Sequence, residues 1–597
     1  MGAGDGPSAV AIGGGGVWIA NQFAGTIARI DPARATVVHE LRVGNSPQDV
    51  AFVGAALWVG LRASGARHRG GTLRVNLGVD FTFTPSNLDP ADPFASGSVG
   101  AQILSLTNDG LTAFRRAGGT EGTKVVPDLA VALPAPTDGG RTYTFRMRSG
   151  IRYSSGQLVR PGDIRRGLKR LLQAANPTFA QGFYAGIVGA ASCTPHRCDL
   201  SRGIVVDDAS GTITFHLTQP DPEFLIKLAL HYAAAIAAAG SPRGHRGRPP
   251  PATGPYVLGS TRSRSVFRFV RNPHFREWSR AAKPDGYADV IEIHLVGDAQ
   301  RAVGAVERGA ADYASGSAVS QLPRGDLDEL FTRYVGQLHE NPQPQTTYLF
   351  LNTRVAPFDR LAVRQAANYA IDRRAAVAIA GGPRFAQPTC QILPPSFPAY
   401  RPYCPYTADA GPGRPWTAPD LSKARRLIAR SHTRGMRITV VGPPELSRYA
   451  NLAVHVLDDL GYRATLRVLT EDEWAAEPTA PRHNRQVGVQ SWLADFPTAS
   501  DFLGVIFRCP PDKGFDLNYS EFCTPHTENL TSGALRVQTT NETRADKLWT
   551  SVDRHIVDSA AAVPLFNPKL TDVVSQRVGN YQHNPQWGVL LDQLWVR

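Results

Sequence analysis

The sequence predicts an α/β protein with a short all-β segment at its N-terminus. Strand and helix patterns alternate between residues 419 and 492, and two tryptophan-bearing segments near the start repeat at a forty-residue offset. The 597-residue chain is 42% hydrophobic, an ordinary value for a globular protein. It has no apolar run of the roughly 18 residues that a membrane span needs. Its most apolar stretch, Ala229–Gly240, is too short.

At the N-terminus, Val10-Ala11-Ile12-Gly13 leads to Val17-Trp18-Ile19-Ala20, and Val50-Ala51-Phe52-Val53 leads to Leu57-Trp58-Val59-Gly60. Short alternating strands, glycine turns and one Trp per repeat resemble β-propeller blades of the YVTN/NHL type. Residues 1–66 hold about one and a half such blades, whereas a closed propeller needs about four. The segment is expected to be part of a larger propeller. A small β-meander packed on the main domain is the alternative.

From about residue 69 the composition changes. Gly71–Val75 reads as a strand and Asn87–Pro90 as a turn. Thr142–Arg148 alternates with period two, as a half-buried strand does, and Pro161–Leu172 reads as a helix. Asp359–Arg374 reads as one helix capped by Asp359, with Val363, Ala366, Ala367, Ala370 and Ile371 on its apolar face and Arg364, Gln365, Asn368 and Arg373 facing away. A helix follows Pro419. Strand 438–441, helix 449–460, strand 465–469 and strand 487–492 come next. This order predicts a largely parallel sheet, in which ligands sit beyond the carboxyl ends of strands.

The net charge is +13, which permits contact with polyanions. The basic residues are scattered, however. The densest groups are Arg165, Arg166, Lys169 and Arg170 on the expected helix and Arg243–Arg248 in a Gly/Pro loop. Neither is interleaved with stacking aromatics, so no nucleic-acid partner is expected. The six cysteines fall as local pairs, Cys193 with Cys198, Cys390 with Cys404 and Cys509 with Cys523. Such pairs suggest disulfides closing surface loops in an oxidising compartment. The competing metal site at Cys193, His196 and Cys198 lacks a second half, and no metal or cofactor is expected. Residues 1–6 show neither the charged nor the apolar region of a signal peptide, so export information is expected upstream of this start.

No catalytic set emerges. His196, His274, His455 and the serines lie in no nucleophile-elbow or zinc-helix phrase, and the chain is not expected to be an enzyme. The segment Ser491–Leu503 stands out instead. Its strand runs into Asp495, flanked by Trp492 and Phe496. A carboxylate there suits holding a cation. The alternative is a turn-capping aspartate before Pro497, and Asp501 is expected to N-cap the helix that follows.

Several phrases in order carry a further resemblance. They are Asn87-Leu88-Asp89-Pro90, Tyr143–Arg146 with Arg148–Ile151, Thr253-Gly254-Pro255-Tyr256, Arg271–Phe275, Leu351-Asn352-Thr353, Val363–Ala366 with Ala370–Arg373, and Trp492–Leu503. From about residue 70 onward the chain resembles the family 5 extracytoplasmic solute-binding proteins, the peptide-binding components of ABC importers. The resemblance implies a two-lobed periplasmic-binding-protein fold with an extra inserted domain. Lobe I would comprise about 67–95, 241–340 and 565–597, the insert about 96–240 and lobe II about 341–564. The lobes of such folds close on ligand by hinge motion.

It also implies a mechanism. Asp495 would hold a peptide's α-ammonium, with Trp492 stacking nearby and Phe496 beside it. Strand edges, including Phe94, Ala95 and Ser96, would pair with the peptide main chain. The ligand would pass to ABC permease subunits outside the cytoplasm. The chain would be a monomer, touching the membrane only through the transporter or an N-terminal anchor. Two alternatives remain: a sensor or interaction module fused to propeller repeats, and a member that binds a sugar or metal chelate. Ser154-Ser155 depart from the His-Asp that many relatives carry, a change expected within a structural turn. The lipobox cysteine of many relatives is absent.

Overall fold

Glycine turns and alternating apolar residues dictate the first element. The computed structural model describes residues 7–22, 25–43, 47–61, 68–78, 88–91, 98–174, 179–238, 249–263, 265–476, 485–509 and 516–596. Strands Pro7–Gly13, Gly16–Asn21, Thr26–Asp31 and Thr36–Arg42 form an antiparallel meander in chain order, followed by the hairpin Pro47–Val53 and Ala56–Leu61. Gly14 and Gly15 both take positive φ in the first turn, the conformation that two-residue hairpins favour. Ala20, Ile27 and Val50 form a small core between meander and hairpin.

The chain divides into two compact units, residues 1–339 with 572–597 and residues 340–571. In the first, Tyr256–Ser263, Val266–Arg271 and Val290–Val296 form an antiparallel meander, and Val290–Val296 then runs parallel to Thr72–Gly78. Leu73, Val75, Phe267, Phe269, Ile291 and Ile293 are fully buried on these strands. A smaller sheet joins Thr142–Arg146, Thr212–His216 and Ile204–Asp207, and the helix Pro161–Leu172 packs against it. The disulfide Cys193–Cys198 closes a loop of this region. Ser154 exchanges hydrogen bonds with Ala252: its N–H donates to the Ala252 carbonyl at 2.7 Å and its Oγ accepts from the Ala252 N–H at 3.1 Å. The Ser154-Ser155 departure therefore lies in a turn that ties two loops together.

In the second unit, Gln345–Leu351 is antiparallel to Ala562–Val574 on one side and to Val487–Leu493 on the other. Val487–Leu493 then runs parallel to Arg437–Gly442, which is parallel to Arg463–Val468. The sheets are thus mixed rather than largely parallel. Hairpin-linked neighbours, the returning strand Ala562–Val574 and the long-range pair of Gln345–Leu351 with Val487–Leu493 supply the antiparallel pairs. The other two disulfides, Cys390–Cys404 and Cys509–Cys523, lie in this unit, and Trp416 packs against the first of them.

The expected helix over 359–374 is two helices. Leu361–Ala370 has Arg360 rather than Asp359 at its N-cap position, with no side-chain capping bond, Ile371 is extended, and Asp372 caps Arg373–Ile379 through its side chain. An Asp able to accept from the N–H two residues on ends one helix and starts another. Of the polar residues read as outward, Gln365 is half-buried, whereas Arg364, Asn368 and Arg373 are buried. Arg364 donates to the carbonyls of Phe358 and Ser559, Asn368 to that of Ala562, and Arg373 to those of Thr389 and Pro564. Burial of these side chains is tolerated because backbone carbonyls satisfy their donors.

Candidate functional site

The candidate site is built on the strand Val487–Leu493 of the second unit. Gly488 fixes it. A Cβ there would stand 2.6 Å from the ring of Phe350 and 2.6 Å from Val441, so only glycine fits between its two neighbouring strands. On one side the ladder runs the full length, from Leu351 opposite Val487 to Gln345 opposite Leu493. On the other side Arg437–Gly442 pairs only with Val487 and Gly488. Among the described residues, the second edge of Val489–Leu493 has no strand beside it. Ser491 is held in place from the paired side, its Oγ 2.8 Å from Gln345 Nε2 and 2.9 Å from Thr347 Oγ1. Its N–H donates to the Gln490 side-chain oxygen at 2.9 Å.

The chain then turns. Ala494 N–H donates to the Pro344 carbonyl at 2.9 Å. Asp495 N–H donates to Asp501 Oδ2 at 2.9 Å, and Trp492 Nε1–H donates to the same oxygen at 3.3 Å. Asp501 is thus not the cap of its helix. The helix is Ala499–Ile506, its N-cap is Thr498, and Asp501 sits buried in the first turn. A carboxylate there is favoured by the helix dipole, and its charge strengthens both bonds to the loop. The spacing Thr498-Ala499-Ser500-Asp501 is the signal that reveals it, since an acid three residues after a cap belongs to the first turn.

Asp495 is half-buried, and burial pushes its carboxyl from the ordinary 3.8 up to about 7. Desolvation penalises the anion, so a cation brought to this carboxyl restores what burial takes away. Trp492 is half-buried, its ring packed on a core that includes Phe502 and Leu503, and Phe496 is buried. Trp492 near the strand end and Asp495 and Phe496 in the turn that follows therefore stand together. Phe94, Ala95 and Ser96 lie outside the described residues, as do Asn87 and Arg243–Arg248.

Other polar and basic groups lie elsewhere. Trp278 donates to Asp128 Oδ1 at 2.8 Å in the first unit. An open cavity of about 560 Å³ in that unit is lined by Arg165, Arg166, Lys169 and Arg170 beside Cys198. Arg165 and Arg166 there donate to the carbonyls of Ile204 and Ile236, and Arg170 pairs with Asp89. Among the described residues no group of three or more metal-ligating side chains forms, and no helix is long and apolar enough to cross a membrane.

The family model described as bacterial extracellular solute-binding proteins, family 5 Middle, matches residues 124–514. The chain belongs to this family. Among its curated relatives, the probable di/tripeptide-binding protein 5 of Pseudomonas aeruginosa is 26% identical over 487 residues, 77% of this chain and 85% of that protein. Among solved structures, a clavulanic acid biosynthesis oligopeptide binding protein 2 superposes with a TM-score of 0.74 at 25% identity, covering 89% of this chain and 96% of the other. The periplasmic binding protein DppA of Helicobacter pylori, solved with a peptide, has a TM-score of 0.60 at 19% identity, covering 89% and 99%. This family 5 chain therefore has the two-lobed α/β fold of the periplasmic peptide-binding proteins, and its family is one of binding proteins that act outside the cytoplasm.

Proposed function

We propose that this chain captures peptides outside the cytoplasm by their free amino terminus, held by Asp495, and delivers them to an ABC permease. The observation that carries the reading is the half-buried Asp495 carboxyl at a strand end, its backbone and the neighbouring Trp492 both fixed by Asp501. An α-ammonium is compact and carries several donors, which suits a carboxylate in a partly dry turn. The unpaired edge of Val489–Leu493 supports main-chain pairing with the residues that follow the ammonium. Such pairing reads backbone rather than side chain, so many sequences would bind.

Titration calorimetry tests this reading. A short peptide and its N-acetylated form are compared on the protein and on Asp495→Asn. The proposal expects acetylation and the substitution each to remove most of the affinity, with no further loss when combined. Equal affinity for both peptides would sink it. Mass spectrometry of material that co-purifies with the protein separates peptide from sugar or metal chelate. A sensor role is favoured by the N-terminal repeats, since ligand capture alone gives them no task. It predicts a partner bound through those repeats.

A further inference from the structure

The most apolar stretch of the sequence, Ala229–Gly240, carries one imidazole, His231. Around it Leu230 and Tyr232 to Ala237 are buried in the first unit. Both ring nitrogens of His231 are buried as well, and neither has a hydrogen-bond partner among the described residues. Burial pushes the pKa of the ring from the ordinary 6.5 down to about 3. The ring is therefore neutral, with a hydrogen on one nitrogen and a lone pair on the other. A buried donor or acceptor left unmet is costly, and folded proteins meet nearly all of them.

A cavity of about 30 Å³ adjoins this ring, and Asn108, Asp109, Lys283 and Trp587 are among the residues that line it. Asn108 adds a second unmet donor. Thr107 Oγ1 donates to Asn108 Oδ1 at 2.6 Å, which turns Nδ2 the other way, and Nδ2 is buried without a partner among the described residues. Asp109 adds a buried carboxylate, ion-paired with Lys283 at 2.7 Å and standing beside Asp128. A carboxylate offers about four acceptor sites, more than those two neighbours fill.

These groups select what the cavity holds. A metal cation takes no hydrogen bond from an amide or imidazole N–H, and the Lys283 ammonium repels it. An anion would face the Asp109 carboxylate. Water both donates and accepts, as the mixed wall requires. It needs about 10–15 Å³ of such space and two to four polar partners, and the cavity offers both. We infer that this cavity is a site for one or two buried waters that bridge His231 to Asn108 and Asp109. The site joins the turn at residues 107–109 to the apolar stretch, far away in sequence. It lies wholly in the first unit, whereas Asp495 belongs to the second.

A crystal structure of the whole chain, at a resolution that shows ordered waters, tests the inference. One or two waters are expected within hydrogen-bond distance, about 2.7–3.2 Å, of a His231 ring nitrogen and of Asn108 Nδ2. Oxygen-17 magnetic relaxation dispersion then counts long-lived internal waters in solution. His231→Leu, which can neither donate nor accept, is expected to lose one or two of them. His231→Gln, which can do both, is expected to keep them. A wild-type map without density in the cavity overturns the inference, whether or not the variants fold. So does density with partners at the shorter distances of a bound metal, about 2.0–2.4 Å. An unchanged water count in His231→Leu overturns it too, as does a loss in His231→Gln equal to that in His231→Leu.

Discussion

Among the carboxyls that burial pushes up, Asp128 and Asp495 stand in contrasting surroundings. Asp128, in the first unit, is buried beside Asp109, and Lys283 completes the group with an ion pair to Asp109 at 2.7 Å. Lys283 also donates to the Ser105 carbonyl at 2.7 Å, and Trp278 bonds Asp128. That cluster serves the fold. Asp495 stands half-buried at the end of a strand, with burial as the cause of its shift. A raised carboxyl thus gains its meaning from its place. The interior carboxyls have a lysine built in, whereas the proposal for Asp495 has the ligand bring the charge.

Three substitutions and a pH titration probe these two sites. The largest effect is expected at Lys283. Lys283→Met leaves two buried acids without their cation, and urea denaturation should show a loss of about 3–5 kcal/mol. A loss well under this would mean that the interior cluster is not held by its lysine. Next is Asp495→Asn. Peptide affinity should fall by about ten- to a hundred-fold, the worth of a charge-assisted bond, while stability at neutral pH should stay level or rise. A stability loss like that of Lys283→Met would make Asp495 a structural residue.

The third test is pH. The folded pKa of about 7 lies above the ordinary 3.8, so the ligand-free protein gains stability from this group at low pH and loses it as pH rises through 7. An ammonium ligand prefers the anion. Peptide affinity should therefore fall up to about ten-fold per pH unit on acidification below 7, and calorimetry should show this slope disappear in Asp495→Asn. The smallest effect is expected at Asp501→Asn, which keeps an oxygen toward Asp495 N–H and Trp492 but removes its charge. A loss of a few-fold in peptide affinity is expected, with the Asp495 pH slope retained. Loss of the slope as well would move the titrating group to Asp501.

The family was legible because its phrases fix the backbone. Gly254 has no room for a Cβ, which would stand 2.4 Å from the Leu106 carbonyl. Asn272, from the Arg271–Phe275 phrase, is buried and donates to the Gly254 carbonyl at 2.9 Å. Asn352 is wholly buried, with its N–H on the Gln486 carbonyl. Such residues announce a fold from sequence because few alternatives satisfy the same carbonyls. The turn at Asp495 was legible for another reason: an apolar strand ends on an acid between aromatics. Asp501 was misread because an Asp before a helical run looks like a cap, and only the third dimension turns its carboxylate back to the loop. Arg364, Asn368 and Arg373 were misread because periodicity counts polar side chains as wet, whereas these reach buried carbonyls from two consecutive helices. The mixed sheet escaped because strand order is decided by the return of Ala562–Val574, far away in sequence.

Gly488 carries a last consequence. A strand admits displacement only in steps that swap its two faces, and at this residue any such step would drive a side chain into Phe350 or Val441. Gly488 is therefore the datum from which the position of Asp495 is measured. Changes at the half-exposed Ser491 or the exposed Leu493 leave this constraint untouched, so the carboxylate two residues beyond Leu493 keeps its place.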